Sequence, residues 1–74
     1  MIRLEPCKME RYPCWNIYRV VSDELLPMRN NQEPLSINNE TWYPVDVGLV
    51  GLYVVPTYQQ QSEIRVCLEA ERMR

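Results

Sequence analysis

The chain has no histidine, no phenylalanine and only two glycines, and its three cysteines are spread over 74 residues. Each shortage removes a class of function. Without histidine there is neither the usual general base near neutral pH nor the commonest metal ligand, so triads and most zinc sites are excluded. Cys7, Cys14 and Cys67 form an odd set with no Cys-x-x-Cys pair. That pattern suits a reducing compartment better than a disulfide-framed secreted domain. The longest apolar run is about half of what a bilayer span needs, and the amino terminus carries Arg3, Glu5 and Lys8 where a signal peptide would have its apolar core. The expectation is a cytoplasmic protein without a membrane segment, in the host cell if it is virus-encoded.

Strong charge of either sign is also lacking, since the net charge is −2. With 46% apolar residues the composition is that of a folded chain. A single domain over residues 1–74 is expected, of a size that buries only about 60% of the surface its unfolded chain exposes. Marginal stability of that kind makes a partner or a homo-oligomer a natural source of support. The charge is unevenly placed: Asp23, Glu24, Glu33, Glu40 and Asp46 face only Arg29 between residues 22 and 46, whereas Arg3, Lys8, Arg11 and Arg19 outnumber Glu5 and Glu10 before them. This asymmetry can guide docking onto a charged partner, but an acidic chain is a poor starting point for general nucleic-acid binding.

What is present centres on residues 46–56, Asp-Val-Gly-Leu-Val-Gly-Leu-Tyr-Val-Val-Pro, which are apolar at odd and even positions alike. Such a run predicts a central strand covered on both faces. Eleven extended residues would reach about 36 Å, longer than a domain of this size is wide. Gly48 and Gly51 are therefore expected to bend the strand. Their Gly-x-x-Gly spacing also resembles a phosphate-approaching loop, but no lysine or arginine adjoins it, and the bend is the better reading.

Ile2-Arg3-Leu4-Glu5 alternates apolar and charged residues and predicts a short strand with one wet face. Residues 14–21 fit either a strand or a helix with Pro13 at its first position that stops at Pro27, with the strand favoured by β-branched and aromatic content. Ser22 could cap one helical turn after it. Residues 27–34 read as an exposed loop. Leu35-Ser36-Ile37 and Thr41-Trp42-Tyr43 flank Asn38-Asn39, a pair able to take left-handed conformations, which predicts a hairpin that Pro44 ends or places at a sheet edge. Residues 57–62 read as a polar loop. In 63–71 the apolar Ile64, Val66, Leu68 and Ala70 alternate with Glu63, Arg65, Cys67, Glu69 and Glu71, predicting a half-buried strand beside the central one, with a frayed basic end. The fold expected is mainly β: a small antiparallel sheet or partly open barrel of five to six short strands, with room for one short helix within residues 14–26 and α+β as the alternative.

No constellation of residues supplies a catalytic or cofactor signature, so no enzyme, cofactor or metal is expected. Cys7 beside Lys8 lacks a resolving partner, and the thiols read as small packing residues, with a Cys7–Cys14 bridge as a minor alternative. The pairs Asp23/Glu24 and Glu69/Glu71 read as solvated surface. The tyrosines and tryptophans are more suggestive, because both residue types are enriched in protein interfaces. Trp15, Trp42 and Tyr53 also suit a small core. The candidate interface comprises Tyr12, Trp42, Tyr43, Tyr58, Glu33, Glu40 and Asp46. The function expected is a non-catalytic protein-binding module of inhibitor, capping or cement type, a profile shared by many viral and mobile-element accessory proteins, with a larger protein as partner. The alternative is a nucleic-acid-binding small barrel of OB or SH3 type, which requires Arg3, Lys8, Arg11, Arg19 and Arg65 to cluster beside exposed aromatics.

Overall fold

Asn38 and Asn39 both hold positive φ, 53° and 67°, the conformation that a two-residue hairpin turn demands and that asparagine tolerates better than other side chains. They join β3 (Leu35–Ile37) to β4 (Glu40–Val45), as the sequence predicts. In the computed structural model, which describes residues 2–10, 13–23 and 33–73, this hairpin is one flank of a five-stranded sheet. The other flank is β1 (Ile2–Pro6) paired with β2 (Tyr18–Ser22), and between the flanks lies β5 (Tyr53–Val55). The order is β1-β2-β5-β4-β3, and every pairing is antiparallel. The expected mainly β antiparallel architecture is thus the one observed, with a helix, α1 (Tyr58–Arg72), added at the carboxyl end.

Alternation along the strands separates two apolar clusters. Tyr53 and Val55 face the helix and join Ile17, Val45 and Ile64. Val54 faces the other way, with Val20, Ile37 and Trp42. Tyr18 meets Trp42 edge-on there, with ring centroids 5.4 Å apart. Ile2 and Leu4 in β1 lean onto this second cluster, while Arg3 and Glu5 are exposed on the opposite face, as their alternation predicts.

Three expectations are corrected. The apolar run 46–56 is not one long strand: only Tyr53–Val55 is extended and buried on both faces, and residues 46–52 form the loop that reverses the chain between β4 and β5. Residues 14–21 contain a strand, as favoured, but it starts at Tyr18 and takes in Ser22. Residues 24–26 lie outside the described ones.

The third correction is the largest, because residues 57–72 are helical instead of a loop followed by a strand. Thr57, extended at φ −131° and ψ 149°, is the N-cap, and its hydroxyl accepts the Gln60 backbone N–H at 3.1 Å. The following residues are strong helix formers, and Gln59 donates to Glu63 one turn later at 3.2 Å. The alternation of 63–71 is misleading: Ile64 is wholly buried and Val66 is 61% exposed. On a helix, positions two apart lie about 200° around the axis, which also parts Glu69 from Glu71.

The helix is seated by Gln61, a buried polar side chain whose Nε2 donates to the Pro44 carbonyl at 2.8 Å. Residues flanking a two-residue turn bond to each other, so by alternation Glu40, Trp42 and Pro44 direct their backbone groups toward β3. β3 reaches only as far as Leu35, opposite Trp42. At Pro44 there is no N–H to leave unpaired, and its carbonyl is satisfied from the helix. Proline thus continues β4 past the point where its outer neighbour stops.

The helix makes a direct prediction. Ile64→Ala should lower stability by about 2–4 kcal/mol and Val66→Ala by no more than about 0.5 kcal/mol, measured by urea denaturation. Equal losses at the two positions would restore the strand arrangement, in which both share one face.

Candidate functional site: the apex of the β4–β5 hairpin

The loop 46–52 is held at both ends and pushed outward in the middle. Val47 packs against the helix-side cluster and Leu52 against the opposite one, so the two legs are anchored on different faces of the sheet. The Leu52 carbonyl also accepts the Val20 N–H at 2.9 Å, which prolongs the β2–β5 ladder by one residue. Between the legs, Gly48 and Gly51 take φ +78° and +123°. These left-handed positions turn the chain and leave Leu49 and Val50 at the tip, 53% and 97% exposed.

Asp46 organises the near leg. Its Oδ1 accepts the Gly48 N–H at 3.0 Å, an Asx-type turn, and its Oδ2 lies 3.8 Å from Arg72 Nη2. That ion pair is well exposed and contributes little free energy. It does show that the last helical turn, with exposed Met73 after it, stands beside the base of the loop. On the far leg, the Tyr53 hydroxyl reaches the Val50 carbonyl at 3.5 Å, a weak contact. A Cβ on Gly51 would lie 3.4 Å from Tyr53 Cε1 and 3.7 Å from Arg19 Nε.

The candidate interface residues are dispersed. Asp46 lies in the loop. Tyr43 and Tyr58 meet edge-on with centroids 6.1 Å apart, where the helix begins, and Tyr58 is 63% exposed. Trp42 is buried in the second cluster, and among the described residues its indole N–H has no hydrogen-bond partner. Glu33 and Glu40 are exposed, Glu40 at the Asn38-Asn39 turn and Glu33 ahead of β3, near the other end of that hairpin. Tyr12 lies outside the described residues, as do Arg11 and Glu24. Arg3 and Arg19 are exposed on the β1–β2 half of the sheet, whereas the helix carrying Tyr58 and Arg65 packs on β4 and β5.

Leu49 and Val50 were not among the candidates, because an unbroken apolar stretch reads as core. The available signal was Asp46 two residues before Gly48, an Asx-turn pattern, together with a second glycine three residues on. The three thiols are free, with Cys14 exposed and Cys7 packed against the helix-side cluster. Among the described residues no three His, Cys, Asp or Glu side chains are grouped to hold a metal ion, and no helix is long and apolar enough to cross a membrane.

Compared with protein-family models, with curated proteins and with solved structures, the chain finds no match in any of the three. The fold and this apex are therefore the ground for a functional reading.

The glycines supply a test of the loop geometry. Gly48→Ala adds a Cβ in open space, so its cost is the left-handed backbone alone, about 1–2 kcal/mol. Gly51→Ala adds contact with the Tyr53 ring to a more restrictive φ and should cost more, about 2–3 kcal/mol. Gly48→Asn should recover part of the first loss. Urea denaturation of the three variants checks the ranking.

Proposed function

We propose that the protein is a small protein-binding module without chemistry of its own, and that it docks through the apex of residues 46–52. The observation that carries this reading is the exposure of Val50 and Leu49 at the tip of an anchored turn. A 74-residue chain has little apolar surface to spare. Folding here spends two aliphatic side chains outside both clusters, on a loop whose legs are fixed. Lone exposed apolar residues are common, but adjacent ones at a convex apex resemble the anchor side chains that fill a partner's pocket. Pinning the legs lowers the ordering cost of binding.

An apex of this form blocks a cleft when it enters one and cements two subunits when it enters the seam between them. These are the inhibitor and the cement roles among those expected from the sequence. Of the acidic residues in the expected interface only Asp46 lies at the loop, where it faces Arg72.

The test is comparative capture. The full chain and its Val50→Asp variant, both immobilised and both verified as folded by circular dichroism, are exposed to lysate of the source cells. The expected outcome is a protein retained by the first and at least tenfold depleted on the second. Equal retention, or none on either, would overturn the reading.

A further inference from the structure

We infer that the protein has a second interaction surface, the free edge of β1, and that its occupant is β1 of a second copy of the chain, paired antiparallel about Leu4. β1 is an outermost strand of the sheet. Its hydrogen bonding fixes which residues face outward. Cys7 donates its N–H to the Ile17 carbonyl at 2.8 Å, in line with the β1–β2 register. Opposed residues in an antiparallel pair alternate between exchanging hydrogen bonds and turning their backbone groups away from each other. Glu5 and Arg3, two and four residues before Cys7, therefore bond to β2, while Leu4 and Ile2 direct their N–H and carbonyl groups to the open side. Pro6 offers a carbonyl there and no N–H. The far side of β2 agrees, because Val20, opposite Leu4, donates its N–H to the Leu52 carbonyl.

Charges and proline on an edge strand ordinarily oppose pairing. Here their spacing opposes every centre but one. With Leu4 opposite Leu4 of the second copy, each Arg3 stands opposite a Glu5 and each Ile2 opposite a Pro6. The two Leu4 residues exchange both hydrogen bonds, and each Ile2 N–H meets a Pro6 carbonyl, so the donor that proline lacks falls at the ends of the ladder. Arg3 and Glu5, both exposed on one face, occupy the non-hydrogen-bonded positions, where facing side chains come closest. Each Glu5 then lies between Arg19 of its own chain, opposite it in β2, and Arg3 of the second copy. Moving the centre by one residue puts Arg3 against Arg3 or Glu5 against Glu5, which like charge disfavours. On the other face Ile2 and Leu4, half-buried on the cluster of Val20 and Trp42, continue across the two-fold axis as apolar contacts. An edge complementary to itself selects a second copy as partner. β3, the other outer strand, has three residues and no charge to fix a register.

The experiment is sedimentation equilibrium of the untagged full chain from about 10 µM to about 1 mM, with each variant verified as folded by circular dichroism. Wild type should pass reversibly from monomer to dimer. Arg3→Glu sets carboxylates against carboxylates and Glu5→Arg guanidiniums against guanidiniums, so each variant alone should dimerise about tenfold more weakly or worse. An equimolar mixture of the two should return to within about threefold of the wild-type Kd, because each carboxylate again meets a guanidinium. Arg3→Glu stands opposite Val21 in its own chain and so reads the contact without disturbing the Glu5–Arg19 pair. Val50→Asp should dimerise as wild type does. In amide exchange, the Leu4 N–H should gain protection as concentration rises, with Arg3 and Glu5 protected throughout. A wild type that stays monomeric, or a mixture no better than its components, would overturn the inference. So would a dimer indifferent to both charge reversals, as exchange of β5 between copies would give, or one lost only in Val50→Asp, which would place the contact at the apex.

Discussion

Three residues, Tyr53, Val54 and Val55, hold the molecule together because they are the place where its two apolar clusters share a backbone. A sheet in a chain this small normally has one dry face, and its stability is limited by what that face can bury. Here the central strand is dry on both sides. Tyr53 and Val55 receive Ile64 from the helix, and Val54 receives Val20, Ile37 and Trp42 from neighbouring strands. Val47, Leu52, Tyr18 and Leu68 each pack against one of those two clusters. Even the exposed apex inherits its direction from them, since Val47 and Leu52 are drawn to opposite faces and the residues between have nowhere to go but out.

The helix depends on a different kind of contact. Burying an amide is unfavourable unless its hydrogen-bonding groups are used, and the Gln61–Pro44 bond uses one of them on a carbonyl that the sheet leaves unpaired. The hydrogen bond fixes where along β4 the helix sits, and Ile64 then fixes which face it turns inward. Asn16, whose N–H donates to Gln60 Oε1 at 3.3 Å, ties the segment before β2 to the same first turn. Three stretches of chain distant in sequence are therefore joined around residues 60 and 61, at the opposite end of the helix from the loop.

Local signals in the sequence are legible, and signals that two environments can produce are not. The β3–β4 hairpin is legible because Asn38-Asn39 solves a backbone problem that few residue pairs solve, whatever surrounds it. The edge strand β1 is legible because one of its faces meets water and its alternation records that. In residues 63–71 the alternation is a coincidence, and the helix follows from the Thr57 cap, whose hydroxyl accepts the Gln60 N–H, and from the burial of Ile64. The run 46–56 failed for another reason. Apolar residues meant for a core and apolar residues displayed to solvent are the same residues, and the sequence does not label which are which. Asp46 and the two glycines marked the turn, but hydropathy marked only that the segment was apolar. The candidate interface followed aromatics and carboxylates, and so Trp42 went into the interior while Val50 was passed over.

The position of β5 in the sheet also governs the order in which the native state can be assembled. β1 with β2, and β3 with β4, are neighbours in sequence as well as in space, and the second pair is closed by a two-residue turn that forms on the microsecond scale. β5 must enter between them, pairing with β4 across a short loop but with Tyr18 and Arg19 across more than thirty residues. Joining the two halves is thus the strand pairing with the largest loop-closure entropy. Until it happens, β2 and β4 each present an open edge, and a second chain can occupy the gap. The strand that makes the finished molecule stable is the one whose late arrival exposes the unfinished molecule to exchange of segments between copies.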